Sequence, residues 1–236
     1  MPVKIIISIW PLFAGLSLIG LAVGVQGSLL GVRAELEGFD DYLIGLLMSC
    51  YFAGFLAGSL LTPKMIQRVG HIRIFAALSA VASVTILIHA IYVEPWAWAL
   101  MRLLTGFAFS TIYVVSESWL NQSSNNANRG QILSIYTTIL LAGICAGQFM
   151  LNLANPMDFT LFILISVMVS VAAVPILLSV IITPAIEETE RVSIRHLWYR
   201  TPMGVTGIIL SQWVSSILFG MGAVYATKLG FSVYQV

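Results

Sequence analysis

The sequence predicts an all-α protein that crosses a membrane many times, and three observations carry that prediction. Of 236 residues, 59% are hydrophobic and only 9% are Asp, Glu, Lys or Arg, whereas a soluble domain carries about 25% charged residues. Seven stretches are each apolar over the roughly 20 residues that a helix needs to cross a hydrocarbon core of about 30 Å. The breaks between them are by turns rich and poor in Lys and Arg. A net charge of +1 supplies no field that gathers nucleic acid, so no nucleic-acid partner is expected. Cys50 and Cys145 lie in apolar runs without metal-ligand or disulfide spacing. They are expected to be small interior residues, and no metal or cofactor is expected.

Span one covers roughly 5–30. Lys4 precedes it as in a signal peptide, but the run is too long for an h-region and six more spans follow, so it reads as a retained first helix. "GVRAELEGFDD" leads to span two, roughly 42–62, which Asp40 or Asp41 can cap. "TPKMIQRVGHIR" leads to span three, roughly 72–93. After "VEP" comes span four, roughly 96–119, with Trp96 and Trp98 as expected interface anchors. "NQSSNNANRG" precedes span five, roughly 131–153, and "ANPMD" precedes span six, roughly 159–183. The charged run "TPAIEETERVSIRHLWYRTP" precedes span seven, roughly 203–227.

The N-terminus and the second, fourth and sixth connections carry eight Lys and Arg, from Lys4 to Arg200; the other connections and the tail carry two, Arg33 and Lys228. The positive-inside bias predicts a cytoplasmic N-terminus and an outer residue 236. The tail "TKLGFSVYQV" lacks the marks of a natural end, so the chain is expected to belong to a longer protein. "AGFLAG" at 53–58 in span two returns as "AGICAG" at 142–147 in span five. Spans two and five run in opposite directions, which predicts an inverted repeat of three helices. Gly54 with Gly58, and Gly143 with Gly147, are also Gly-x-x-x-Gly pairs suited to close helix packing.

The second connection holds Arg68, Gly70 and His71 in "PKMIQRVGHIR", and span four holds Arg102, Gly106, Ala108 and Ser110 at fixed offsets. With seven spans and a long charged sixth connection, this pattern resembles the major facilitator superfamily. Pro63 and Gln67 stand where the family motif has glycine and aspartate. "YVVSESWLNQ" followed by "NRGQILSIYT" is similar to a little-characterised bacterial branch, and Gly147–Gln148 departs from the Gly-Pro pattern of drug:proton antiporters. The resemblance implies a six-helix N-terminal bundle at 1–183, a cytoplasmic linker at 184–202, and at 203–236 the first helix of an incomplete C-terminal bundle. It implies a secondary transporter of the bacterial inner membrane, doing no covalent chemistry, in which the two bundles rock around a midplane site. Its expected partners are a small-molecule solute, the lipid bilayer, the missing C-terminal bundle and, if transport is coupled, a proton or ion.

Arg102 is the candidate that matters most. It lies about 9 Å below the start of span four at about 1.5 Å per residue. Helical spacing puts Arg102, Gly106, Phe109 and Tyr113 on one face. That face lines a wet cavity, or Arg102 snorkels to the interface or ties helices together through carbonyls. The amides of Gln26, Gln148 and Asn152 lie at comparable depth, and any of them can satisfy Arg102. Gln212 and Trp213 sit mid-span in the seventh helix, which lines the cavity in the family. Near the inner end of span four, Glu117 is an expected gate partner of Arg68, Arg73 or Arg129. His89 is expected at the outer interface. A non-transporting sensor or assembly protein with the same fold remains the alternative. An intramembrane enzyme would need clustered His, Asp or Glu, and His89 with Arg102 does not make such a set.

Overall fold

The computed structural model describes residues 3–179 and 194–231. They form helices and no strand, and seven helices are long and apolar enough to cross a membrane. The helices are α1 (Val3–Leu36), α2 (Asp41–Val69), α3 (His71–Ile91), α4 (Pro95–Gln122), α5 (Arg129–Met150), α6 (Thr160–Ala172), α7 (Val174–Leu178), α8 (Ile194–Arg200) and α9 (Pro202–Lys228). A short 3-10 turn, Leu151–Leu153, follows α5.

Local chemistry sets the boundaries. The Asp40 carboxylate accepts from the Leu43 N–H at 2.7 Å and caps α2. Gly70, at φ +84°, is the whole connection between α2 and α3. Only glycine takes that φ readily. The expected loop around Pro63 is therefore helical: α2 runs on through Lys64 and Arg68 to Val69. Span six breaks at Ala173, because Pro175 has no N–H to give the carbonyl one turn back, and α7 restarts at Val174. Of the expected linker, residues 184–193 lie outside the described residues, and α8 occupies 194–200.

Packing follows a two-fold pattern. Helix α2 lies along α4, and α1 lies along α5; α3 packs on α4 and α6 packs on α1, while α3 and α6 meet each other. Exchanging α1, α2, α3 with α4, α5, α6 leaves this list unchanged. The glycines show that the equivalence holds residue by residue. A Cβ on Gly54 would stand 1.9 Å from the Leu103 carbonyl oxygen, and one on Gly58 2.6 Å from that of Phe107. In the other half, a Cβ on Gly143 would stand 3.1 Å from the Ser17 oxygen, and one on Gly147 2.4 Å from that of Leu21. Gly106 meets the Tyr51 oxygen at 1.9 Å, as Gly20 meets that of Leu140 at 2.9 Å. Each α2 position thus answers to the α5 position 89 residues on, and each α4 position to the α1 position 86 residues back. Because short connections alternate the helix direction, the two three-helix units are inverted relative to each other. Small residues are what allow backbones this close.

Three sequence expectations are corrected. His89 is not at the interface but fully buried: its Nδ1 bonds the Thr85 carbonyl at 2.7 Å, and the Trp98 indole donates to the His89 carbonyl at 3.1 Å. Trp98 is buried with it, and only Trp96 is exposed as an anchor. Cys145 is exposed and Cys50 half-buried, so neither is an interior residue.

Candidate functional site

Between the two repeats lies a cavity of about 370 Å³. Val23, Gln26 and Gly27 of α1 line it, with Tyr51, Phe52 and Phe55 of α2, Arg102, Phe109 and Tyr113 of α4, and Ile144 of α5. Helix α9 adds Gln212, Ser215, Ser216 and Gly220. Three of these contacts are repeat mates: Val23 with Phe109, Gly27 with Tyr113, and Phe55 with Ile144. The cavity therefore sits on the pseudo-two-fold axis. Its walls are not symmetric. Tyr113 faces Gly27, which has nothing within 4 Å of where its Cβ would be, and that missing side chain leaves room.

Arg102 is buried, at 5% exposure. Its Nη2 donates to the Met48 sulfur at 3.2 Å, and its guanidinium lies 4.5 Å from the centroid of the Tyr51 ring. Its Nε has no partner, and no carboxylate lies within 4 Å of it, among the described residues. Arg102, Phe109 and Tyr113 share the cavity-facing side of α4. Gly106, on the same stripe, instead brings the backbone of α2 into contact, and this close approach sets Tyr51 beside Arg102.

The amides separate. Gln26 lines the cavity, is 3% exposed, and leaves its Nε2 without a partner among the described residues. Gln148 is tied into the α1–α5 seam by the Ser28 hydroxyl, which donates to its Oε1 at 2.5 Å. Asn152 is exposed in the 3-10 turn. Neither is a hydrogen-bond partner of Arg102. Gln212 lines the cavity, and Trp213 beside it is 65% exposed and not among the lining residues. Sequence reasoning overlooked Met48 and the aromatic wall of α2. A signal for the latter was present: Tyr51 and Phe55 are one turn apart, flanking Gly54. The Tyr51, Phe55 and Tyr113 rings follow one another with centroids 6.1 Å apart at each step.

The basic end of the bundle holds the gate candidates. His71 is buried there; its Nε2 bonds the Ser118 hydroxyl at 3.1 Å, and its ring packs near Trp119. Gly70 turns the chain so that His71 meets α4. Arg68, Arg73 and Arg129 are exposed, and none pairs with Glu117 among the described residues. Glu117 instead accepts from the Tyr136 hydroxyl of α5 at 3.1 Å.

The opposite end is closed. Arg33 bridges Glu37, at 2.6 Å, and the Pro156 carbonyl, at 3.1 Å. Lys228 of α9 pairs with Asp41 and lies 3.9 Å from Glu35. Just beneath, Val224 of α9 fits against Gly31 of α1, and Gly220 fits against Met48 of α2. Met48 thus touches both α9 and Arg102.

A sequence model of the Major Facilitator Superfamily matches residues 11–236. The chain belongs to the major facilitator superfamily. It is 30% identical over 227 residues to an uncharacterised MFS-type transporter of Enterobacter sp. strain 638, and 28% identical over 223 residues to the uncharacterised MFS-type transporter YcaD of Escherichia fergusonii. It is 26% identical to YcaD of Escherichia coli O45:K1. Each comparison covers 94% of this chain and 58% of the relative. The superfamily is one of membrane transporters, and this member is a multi-pass membrane protein with seven membrane-capable helices among the described residues.

Proposed function

We propose that this superfamily member is the N-terminal part of a secondary transporter that moves a small polar or anionic solute by alternating access. Residues 1–183 are the N-terminal bundle, 184–202 the linker, and 203–236 the start of a second bundle whose remainder completes the far wall of the cavity. The chain lies in a bacterial inner membrane with its N-terminus in the cytoplasm, following the Lys and Arg bias. It binds and moves its solute without changing it covalently.

The observation that supports this most is a buried guanidinium with no carboxylate within 4 Å among the described residues, lining a cavity on the axis between two inverted repeats. A charge at that depth is costly to keep unless it serves a solute path. The ion pairs of Lys228 close the cavity at one end in this conformation, as alternating access requires of any single state. At the other end, Glu117 held by Tyr136 leaves Arg68, Arg73 and Arg129 free to engage it when that end closes.

The test is solute uptake by proteoliposomes holding the full-length transporter, screened across solute classes. Gly27→Phe fills the cavity at a position where no packing contact is lost. We expect it to abolish uptake while the protein stays folded by size-exclusion profile. Normal uptake by folded Gly27→Phe would remove the cavity as the solute path.

A further inference from the structure

The cavity carries more information than its single charge, and this inference rests on the transporter reading above. Two residues that line it each hold a buried donor without a partner among the described residues: Arg102, at Nε, and Gln26, at Nε2. Both residues are more than nine-tenths buried. They stand on α4 and α1, the paired inner helices of the two repeats, so they reach the cavity from opposite sides of the pseudo-two-fold axis. An unmet donor in a low-dielectric site costs far more than a met one gains. Two such donors on the cavity's lining residues, with no carboxylate against them among the described residues, are suited to an acceptor that arrives with the solute.

The rest of the wall has the opposite character. Tyr51, Phe55, Phe109 and Tyr113 present rings, and Val23 and Ile144 present branched aliphatic chains. About 370 Å³ falls near the lower end of the roughly 300–1,000 Å³ typical of small-molecule sites. A sugar would leave the hydroxyls on its flanks facing rings. A cation would face the guanidinium.

We propose that the solute is a small amphipathic organic monoanion: one carboxylate or equivalent group held by Arg102 and Gln26, and a flat apolar body stacked among the rings of α2 and α4. Arg102 turns from Met48 toward the anion, because a thioether is a weaker acceptor than a carboxylate and a charge-assisted bond is the stronger. Since Met48 also packs on Gly220, the same move loosens the contact of α9 with α2 and couples an occupied site to the closed end.

The test is calorimetric titration of the purified full-length transporter with benzoate, benzamide, benzylammonium and acetate. Benzoate carries both charge and ring, and each of the others lacks one or reverses it. We expect benzoate to bind at least about tenfold more tightly than benzamide or acetate, as the loss of one charge-assisted bond implies, with no binding of benzylammonium. Arg102→Ala should abolish benzoate binding, and Gln26→Leu, which keeps the shape and loses the donor, should weaken it severalfold. Binding of benzamide or benzylammonium as tight as that of benzoate overturns the inference. So does benzoate binding unchanged in either variant, or no binding of any of the four. The comparison among ligands uses the unaltered protein and does not depend on a variant folding. Uptake of a sugar or a cation in the solute screen would remove this inference and leave the transporter reading standing. Benzoate binding by a protein that transports nothing would do the reverse.

Discussion

A guanidinium that donates to a thioether and lies over a phenol ring carries a strong, planar set of donors, yet it is only loosely satisfied. The ring face of Tyr51 offers Arg102 about 0.5–2 kcal/mol, and sulfur is a weak acceptor. Such a group is ready to exchange partners, which a latch through a carboxylate would prevent. The planar fork matters as well as the charge. Arg102→Lys keeps the charge and loses the bidentate geometry. We expect uptake per folded protein to fall in Arg102→Lys and to fall further, by about tenfold or more, in Arg102→Ala. A residue that only braced helices would lower the melting temperature instead, and uptake would track the folded fraction. Arg102 itself was legible in the sequence because a lone charge stands out in an apolar span. Tyr51 and Met48 were not, since an aromatic or a methionine in such a span has no contrast with its neighbours. Nor could hydropathy tell that Gln26 lines the cavity while Gln148 bonds Ser28. Helical phase against a neighbour decides that, and the neighbour is remote in sequence.

At the scale of helices, the glycine seams are the elements that hold each repeat to its mate. A Cβ on Gly54 would sit 1.9 Å from a backbone oxygen, which no rotamer can relieve. The helices α2 and α4 would have to part, at an overpacking cost of about 1–3 kcal/mol. Gly45, on the same helix, has nothing within 4 Å of its Cβ position, and an alanine there gains about 1 kcal/mol of helix propensity. We therefore expect Gly54→Ala to lower the melting temperature of the purified full-length protein and Gly45→Ala to leave it level or raise it. Equal melting temperatures would mean that the seam is not close-packed. The echo of "AGFLAG" in "AGICAG" made these glycines visible beforehand, because the spacing of small residues repeats the spacing of the contacts. Helix ends were less visible. Lys64 and Arg68 belong to the final turns of α2 rather than to a loop, since a helix that leaves the hydrocarbon core turns polar without ending. His89 and Trp98 were misplaced for a related reason: hydropathy reads position along a span and not burial across the bundle.

At the scale of the molecule, the fold brings two copies of one three-helix plan together head to tail and leaves space where their side chains differ. The two-fold relation fixes where the space lies; the asymmetry of Arg102, Tyr113 and Gly27 gives it a polar side. Seven spans and the superfamily's plan were legible from hydropathy, the charged connections and two short motifs. The cavity's shape was not, because it arises where α1, α2, α4, α5 and α9 meet, and no local pattern encodes that meeting.

The central claim is that this cavity is reached in turn from both sides of the membrane, and one measurement tests it without knowledge of the solute. All native cysteines of the full-length protein, Cys50 and Cys145 among them, are replaced by alanine and a single cysteine is placed at Gly27. A membrane-impermeant thiol reagent is then applied to right-side-out and to inside-out vesicles. A cysteine at Glu37, which the proposed orientation puts at the outer face, should react only in right-side-out vesicles. The account predicts that Gly27→Cys reacts in both. Reaction from one side alone, or from neither, would contradict it.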